Sequence, residues 1–349
     1  MKIAIVNHGG FSERWVEYCK KNAIPFRIVD PYANDIVEKI SDCDAFMWHH
    51  SHTNYKDALF AKQLLYSIEL NGKKVFPDFK TSWHFDDKVG QKYLLEALEA
   101  PIVPSFVFYD EKEAINWIDN TSFPKVFKLR GGAGAENVKL IKNKREAYRL
   151  VNKAFSRGFS QYDSWESLKE RFGKWKHGRM PFIHVLKGVA RLFIPTDYAK
   201  MHPREKGYVY FQDFIPQNQF DIRVIVTGNK AFAIKRMVRE GDFRASGSGV
   251  ILYNKAEIDE RTVRIGFDIN KKLRSQSLAL DFVFDKNNNP LIVELSYGYG
   301  VHAYDKCPGY WTDDMKWHEE EFNPQFWQIE NIVKELMSQS INKVGSMKL

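Results

Sequence analysis

Short apolar runs alternate with helix-patterned stretches over the first eighty residues, and that alternation confines the start of the chain to a small α/β unit. Residues 2–6, 26–29, 45–48 and 74–76 read as strands, and 12–21 and 57–70 carry the helical pattern around them. Strands alternating with helices predict crossover connections and a mostly parallel sheet. Open α/β sheets bind ligands beyond the ends of their strands, and His49-His50-Ser51-His52 follows such an end. Neighbouring histidines project in opposite directions from a strand, which argues against a metal centre there.

Beyond this unit the pattern changes. A helix over 86–99 leads to Pro101-Ile-Val-Pro104, a breaker pair read as a boundary region. Strands at 105–109, 125–129 and 138–141, with helices near 111–118 and 144–155, then make an α+β unit. Residues 156–206 are basic and aromatic and read as an insertion. Strands return at 208–214, 221–227 and 231–237, and an aromatic tail ends in a helix near 328–337. The division expected is an α/β domain at 1–82, a second unit at 83–207 containing the insertion, and a C-terminal unit at 208–349.

The 349 residues, 44% of them hydrophobic, suffice for two or three packed units. No apolar run reaches membrane-span length, and residues 1–6 are too short for a signal peptide. Cys19, Cys43 and Cys307 are few and scattered, so neither a disulfide framework nor a zinc site is indicated and a cytoplasmic location is expected. The net charge of +8 favours anionic partners without choosing among nucleotides, acidic sugars, nucleic acids and lipid.

Near the C-terminus, 278–284 and 291–295 read as two strands joined by the turn-forming 285–290. Pairing Phe284 with Leu291 puts Asp281 opposite Glu294. Like charges across a ladder destabilise it, so a cation between them is one reading. Two carboxylates suit a hard ion such as Mg²⁺, completed by phosphate oxygens and water. A solvated edge hairpin that happens to carry two acids is the other.

Several further residues fit a polyphosphate site. Lys128 ends an apolar strand just before the loop containing Gly131, Gly132 and Gly134, whose backbone N–H groups can approach phosphates. This is neither the phosphate-loop signature nor the dinucleotide fingerprint, and taken by itself the stretch reads first as an ordinary hairpin loop. Lys88 follows two aspartates at a helix start. The strand holding Gln212, Asp213 and Phe214 runs into a linker, where backbone could read an adenine edge while Phe214 packs on the ring. Asp221 and Arg223 share one strand face, Arg236 and Arg239 follow, and Gly241-Asp-Phe-Arg244-Ala-Ser246-Gly247 comes after a turn. Several arginines on neighbouring strands beside two acids suit phosphate better than any one of them does.

In this order the motifs resemble the ATP-grasp superfamily. The likeness is nearest to the ribosomal-protein glutamate ligase type and more distant to D-alanine–D-alanine ligase and glutathione synthetase. It covers about residues 85–300, interrupted by the insertion. It rests on Asp87-Lys88, Lys128 with its loop, Gln212-Asp213-Phe214, Asp221-Ile-Arg223-Val, Gly241-Asp-Phe-Arg244, Asp281 and Glu294.

The resemblance implies an ATP-grasp fold: a Rossmann-like N-terminal domain followed by two α+β subdomains that clamp ATP. Lys88 and Lys128 would hold ATP phosphates, and the loop at 131–134 would be a flap. Asp213 and Phe214 would form the adenine hinge, Asp221 would bind near the ribose, and Arg236 and Arg244 would meet the γ-phosphoryl group. Asp281 and Glu294 would hold Mg²⁺. Two positions depart from the pattern: Ser296 stands where the family has Asn in Glu-x-Asn, and Ser246 also replaces an Asn. A hydroxyl is the shorter and poorer ligand.

The implied reaction is ligation of a carboxylate to an amine through an acyl phosphate. A kinase on the same scaffold and a non-catalytic nucleotide binder are the rival readings. Arg223, Tyr297, Tyr299 and His302 are the candidate substrate contacts, the tyrosines being placed at the mouth of the site. The partners expected are a small-molecule or glycan carboxylate and an amine, with a sugar acid or amino acid of surface polysaccharide as the class, and a second copy of the chain. The insertion carries Lys169, Arg171, Lys174, Lys176, Arg179, Lys187 and Arg191 among aromatics, and 182–193 has the pattern of a basic amphipathic helix. It reads first as a basic solvent face packed on the main body, with contact to an anionic membrane surface or a large acidic acceptor as the alternatives. Nucleic acid is disfavoured because no recognition module accompanies the charge.

Overall fold

The computed structural model describes residues 1–131, 137–160, 164–176, 180–193, 204–238 and 250–346. The chain opens with β1 (Ile3–Val6), α1 (Phe11–Lys21), β2 (Phe26–Val29), α2 (Ile36–Lys39), β3 (Ala45–Met47), α3 (Tyr55–Leu70), β4 (Lys74–Phe76) and α4 (Phe79–Ser82). The four strands form a wholly parallel sheet in the order β2-β1-β3-β4. Phe11, Trp15 and Cys19 recur at helical spacing on α1 and are all buried, which fixes the face that α1 lays on this sheet.

Next come α5 (Lys88–Ala97), β5 (Ser105–Phe108), α6 (Glu111–Asn120), β6 (Lys125–Lys128), β7 (Val138–Ile141) and α7 (Lys144–Phe155). The insertion follows as the helices α8 (Ser164–Lys176) and α9 (Ile183–Phe193). The strand β8 (Val209–Asp213) then enters the middle of the second sheet, ordered β5-β8-β6-β7 and antiparallel. The boundary expected at 207/208 therefore cuts through this sheet, because β8 supplies hydrogen bonds to both β5 and β6.

The third sheet is built from β9 (Phe220–Thr227), β10 (Lys230–Met237), β11 (Ile251–Leu252), β12 (Ser277–Phe284), β13 (Pro290–Ser296), β14 (Tyr310–Thr312) and β15 (Trp317–His318). Its order is β13-β12-β9-β10-β14-β15, with β11 on β10. The helix α10 (Glu260–Leu273) covers one face through Val263 and Ile269, with Leu95 of α5 in the same core. The Pro101–Pro104 stretch is not a free boundary. Ile102 bridges Ile292 in parallel, and Val103 donates to the Ile292 carbonyl at 3.0 Å. This covers the outer edge of β13, which would otherwise present unpaired backbone groups.

The last helix, α11 (Pro324–Ser346), returns to the N-terminal unit. Trp327, Ile329 and Ile332 share one core with Ile3, Phe11, Trp15, Phe232 and Tyr297. The Trp15 indole donates to Gln328 Oε1 at 3.0 Å. The aromatic tail thus joins the parallel sheet to the third sheet and fixes one wall of the cleft against another.

Candidate functional site

Alternation along the strands of the third sheet sets out its charges. On β9, Asp221 and Arg223 share a face; register places Asp221 opposite Arg236 of β10, and Arg223 opposite Asp281 of β12. Asp281 in turn faces Glu294 of β13. Four adjacent strands therefore bring five charged side chains to one face.

The Asp281–Glu294 opposition comes about differently from the expected count. Phe284 pairs with Pro290 and Val283 with Leu291, one position off the expected register. A β-bulge between Phe282 and Asp281 leaves Val293 unpaired and restores Glu294 to its place opposite Asp281. Bulges re-aim side chains in this way beside functional sites.

The charges are mutually compensated. Arg223 binds Asp281 through Nε–Oδ1 at 2.5 Å and Nη2–Oδ2 at 2.6 Å. Arg236 holds Asp221 through Nε at 2.7 Å and Nη2 at 2.5 Å, and also reaches Asp281 Oδ2 at 2.9 Å. Burial pushes the Asp281 carboxyl up, but the two guanidinium groups outweigh it and hold it well below the usual carboxylate range. Glu294 is 36% exposed towards the cleft, with Lys88 Nζ 3.4 Å from Oε1. The repulsion argued from sequence therefore needs no added ion: Arg223, Arg236 and Lys88 answer it.

Two lysines enter from other elements. Lys88 is the first residue of α5, whose N-cap Asp87 accepts from Gly90 N at 2.9 Å, and its own backbone N–H donates to the Arg130 carbonyl at 2.9 Å. Lys128 ends β6 and is 5% exposed. Burial lowers its ammonium to about 8, with Glu294 acting in the opposite sense.

These groups line a cavity of about 910 Å³ between the three sheets. One part is an apolar slot of Val103, Val126, Val138, Val283 and Val293, with Phe214 at its rim. Residues Gln212 and Asp213 lie here too, although their side chains have structural duties. The Gln212 amide donates to Ser105 Oγ at 3.0 Å, and Asp213 Oδ1 lies 2.6 Å from Lys125 Nζ. The opposite arm is the strand end of the parallel sheet: His8, Tyr32, His49, His52, Asn54 and Asp57. His49 is lowered to about 4 by burial and then by His52, and His52 is lowered too, so these two imidazoles are neutral at neutral pH. A Cβ on Gly298 would stand 3.2 Å from His49 Nε2, so the lack of a side chain lets this loop close on the histidines.

Two expected residues are placed elsewhere, and a third is engaged otherwise than expected. Tyr297 is fully buried, its hydroxyl donating to the His50 carbonyl at 3.0 Å and its ring 4.6 Å from Phe85; it is a strut beneath the site, not its mouth. His302 is an exposed residue outside the cavity, with Nδ1 3.3 Å from Asp305. Ser296 does line the cavity, but its hydroxyl donates to the Gly298 carbonyl at 2.8 Å and accepts from Gly298 N at 3.1 Å, so the turn holds the ligand expected for metal. Tyr299 keeps a place at the cavity edge, where its hydroxyl accepts from Gln325 at 3.2 Å. Gly131 is described and buried, whereas Gly132, Gly134, Arg239, Arg244 and Ser246 lie outside the described residues. The valine slot and the Tyr32–Asn54–Asp57 wall were missed from sequence. The wall's signal was its position after two strand ends of the parallel sheet, Tyr32 after β2 and Asn54 and Asp57 after β3.

Asp281 and Glu294 are hard oxygen donors on one face, and so fit Mg²⁺ held largely by phosphate oxygens and water. Among the described residues no group of three or more His, Cys, Asp or Glu stands ready to hold an ion by itself. The donor set is therefore one that a metal would share with an anionic ligand.

Comparison with known proteins fits this geometry. Residues 199–311 match the RimK-like ATP-grasp domain, a span that carries Asp221, Arg223, Arg236, Asp281 and Glu294. Among solved structures, the biotin carboxylase domain of Hydrogenobacter thermophilus 2-oxoglutarate carboxylase, crystallised with MgADP and bicarbonate, aligns over 95% of this chain and 69% of its own. Its TM-score is 0.61 at 13% identity. A RimK domain ATP-grasp protein from Sphaerobacter thermophilus aligns over 84% and 90%, with TM-score 0.50 and 14% identity. Bacillus anthracis D-alanine–D-alanine ligase aligns over 86% and 88%, with TM-score 0.51 and 15% identity. No curated protein matches the chain in sequence. The fold is ATP-grasp.

Proposed function

We propose that this ATP-grasp protein, with its RimK-like domain at 199–311, is an ATP- and Mg²⁺-dependent ligase that joins a carboxylate to an amine. The observation that carries the reading is the meeting of Lys88, Lys128, Arg223 and Arg236 with Asp281 and Glu294 around one cavity that has an apolar slot on one side and a polar arm on the other. The valine slot with Phe214 suits a purine ring. Lys88 and Lys128 approach from two elements and suit the phosphates between them.

Phosphoryl transfer to a carboxylate depends on alignment and charge neutralisation more than on a protein nucleophile. Arg236, already fixed in position by Asp221, would face the charge that develops on the transferred group. Arg223 is held by Asp281 and would orient the substrate carboxylate. Mg²⁺ held by Asp281 and Glu294 would neutralise the phosphate oxygens. The amine would then attack the acyl carbon of the acyl phosphate, forming the amide C–N bond as the C–O bond breaks and inorganic phosphate departs, the amine proton leaving to solvent or to that phosphate.

The acid lies in the polar arm. His8 stacks on Tyr32 at 5.7 Å, and His49, His52 and Asn54 offer neutral donors and acceptors. A stacking platform with uncharged hydrogen-bonding groups suits a hydroxylated ring, so a sugar acid or amino acid of the kind used in cell-surface polysaccharide is the proposed class. Incubation with Mg²⁺-ATP, a panel of such acids and hydroxylamine tests this. The ligase gives a hydroxamate and ADP only when its acid is present. Phosphorylation of a hydroxyl with no hydroxamate would instead make the protein a kinase.

A further inference from the structure

No described residue of the insertion between α7 and β8 lines the cavity, and its surface combines exposed apolar groups with basic ones. Helix α9 has apolar residues on two sides. Val185 is buried, and a Cβ on Gly188 would stand 3.0 Å from Leu168 Cδ1 and from Arg171 Cδ, so this side packs against α8. The other side is left outside: Phe182, Ile183, Leu186 and Val189 are 48%, 53%, 50% and 41% exposed. Two aromatics extend the same surface. The Phe172 and Trp175 rings are 5.4 Å apart, and Trp175 lies 5.1 Å from Phe182. Elsewhere among the described residues exposed large apolar side chains occur singly or in smaller groups, such as Tyr66 with Phe79 at 5.0 Å and Tyr93 with Tyr109.

Charge distinguishes this surface from an ordinary protein contact. Helical spacing sets Lys187 and Arg191 along one flank of the exposed stripe, one turn apart, and α9 carries no acidic residue at all. From 169 to 193 there are seven Lys or Arg against one Glu. An apolar stripe with long basic side chains at its margin is the arrangement of a helix that lies in a membrane interface, the stems reaching along the apolar surface and the charges meeting phosphates. No described helix is long and apolar enough to cross a membrane.

We propose that the α8–α9 hairpin docks the protein peripherally on an anionic lipid bilayer, with Phe182, Ile183, Leu186 and Val189 entering the headgroup region and Lys187 and Arg191 pairing with lipid phosphates. The inference is independent of the ligase reading, since none of these residues borders the cavity.

Co-sedimentation of the full-length protein with phosphatidylcholine vesicles, with and without phosphatidylglycerol, tests it. The protein pellets with the anionic vesicles and is released by salt. Each basic residue near such a surface contributes about fivefold in partition, so Lys187→Glu with Arg191→Glu lowers binding by roughly 30-fold or more. Ile183→Asp with Leu186→Asp abolishes it, while ADP binding and melting temperature stay at wild-type values in both variants. Absence of pelleting, or pelleting that neither variant changes, overturns the proposal. So does a dimer in sedimentation velocity that Ile183→Asp with Leu186→Asp dissociates in a protein that ignores vesicles, which would assign the stripe to a second copy of the chain.

Discussion

Arg223 grips Asp281 with both prongs of its guanidinium, and Arg236 reaches the same carboxylate at 2.9 Å from the next strand. The acid at the heart of the site is therefore also a keystone of the third sheet. Removing its charge strands the partly buried Arg223, which a neutral amide cannot satisfy, and leaves Arg236 with Asp221 alone.

Asp281→Asn is accordingly expected to cost about 3 kcal/mol of stability, the lower end of the range for breaking a buried ion pair because the side chains keep some exposure. Urea denaturation of the purified variant measures this. A wild-type midpoint would show that the arginines find other partners and that the triad contributes little to the fold.

Glu294 should behave differently. It is 36% exposed, with its nearest cation 3.4 Å away. Glu294→Gln is expected to lower stability by clearly less than Asp281→Asn, since it gives up one contact at 3.4 Å from a half-buried side chain instead of three shorter ones from a more deeply buried one. The same variant should lose the part of ADP affinity that depends on Mg²⁺. Calorimetry with and without the ion reads this directly, and an unchanged Mg²⁺ increment would remove Glu294 from the proposed metal set.

The contrast between these two acids could not be read from the sequence, and the reason is specific. Asp281, Arg223, Asp221 and Arg236 were all singled out, but the cross-strand registers that join them are set by sheet order, which local pattern does not contain. The hairpin pairing was correct at Asp281–Glu294 only because the bulge at Val293 offsets a one-residue shift at the turn. Tyr297 is the instructive error. Glu294, Ser296 and Gly298 line the cavity, whereas Tyr297 between them does not and is fully buried. Period-two alternation continued through 294–298 would have placed that tyrosine in the core. The parallel sheet and most strand positions were legible because short apolar runs and helical spacing are local signals. The tertiary placement of α11 against α1 was not.

His84 gives the fold an acid-sensitive point. It is fully buried, and neither ring nitrogen has a hydrogen-bond partner among the described residues. Burial, reinforced by Lys62, lowers its pKa to about 3 from 6.5. A histidine depressed in the folded state contributes stability that is complete above pH 6.5 and is lost as pH falls towards 3. At pH 5 the unfolded chain gains about 2 kcal/mol from protonating this one side chain. His84→Phe should therefore gain about 2 kcal/mol on wild type between pH 7 and pH 5 in urea denaturation. Any packing change is common to both pH values and cancels. A difference that does not vary with pH would mean that the imidazole is charged, or solvated, in the fold.

Lys128 makes the companion case for ligand binding. Its ammonium is lowered to about 8 by burial, with Glu294 and Asp281 raising it and Lys88 lowering it further. Above pH 8 a growing share of the free protein holds this amine neutral, whereas a polyphosphate beside it favours the charged form. Under the proposed nucleotide reading, binding of ADP at pH 8.5 should therefore take up a fraction of a proton, and affinity should decline as pH rises from 8 towards 10. Calorimetry at pH 8.5 in buffers of different ionisation enthalpy counts that proton. Lys128→Met should weaken binding at pH 7 and eliminate the uptake at pH 8.5, since the phosphates are already fully ionised there. If the variant binds ADP with the same proton uptake as wild type, Lys128 does not face the phosphates, and the pH dependence belongs to another group in the cleft.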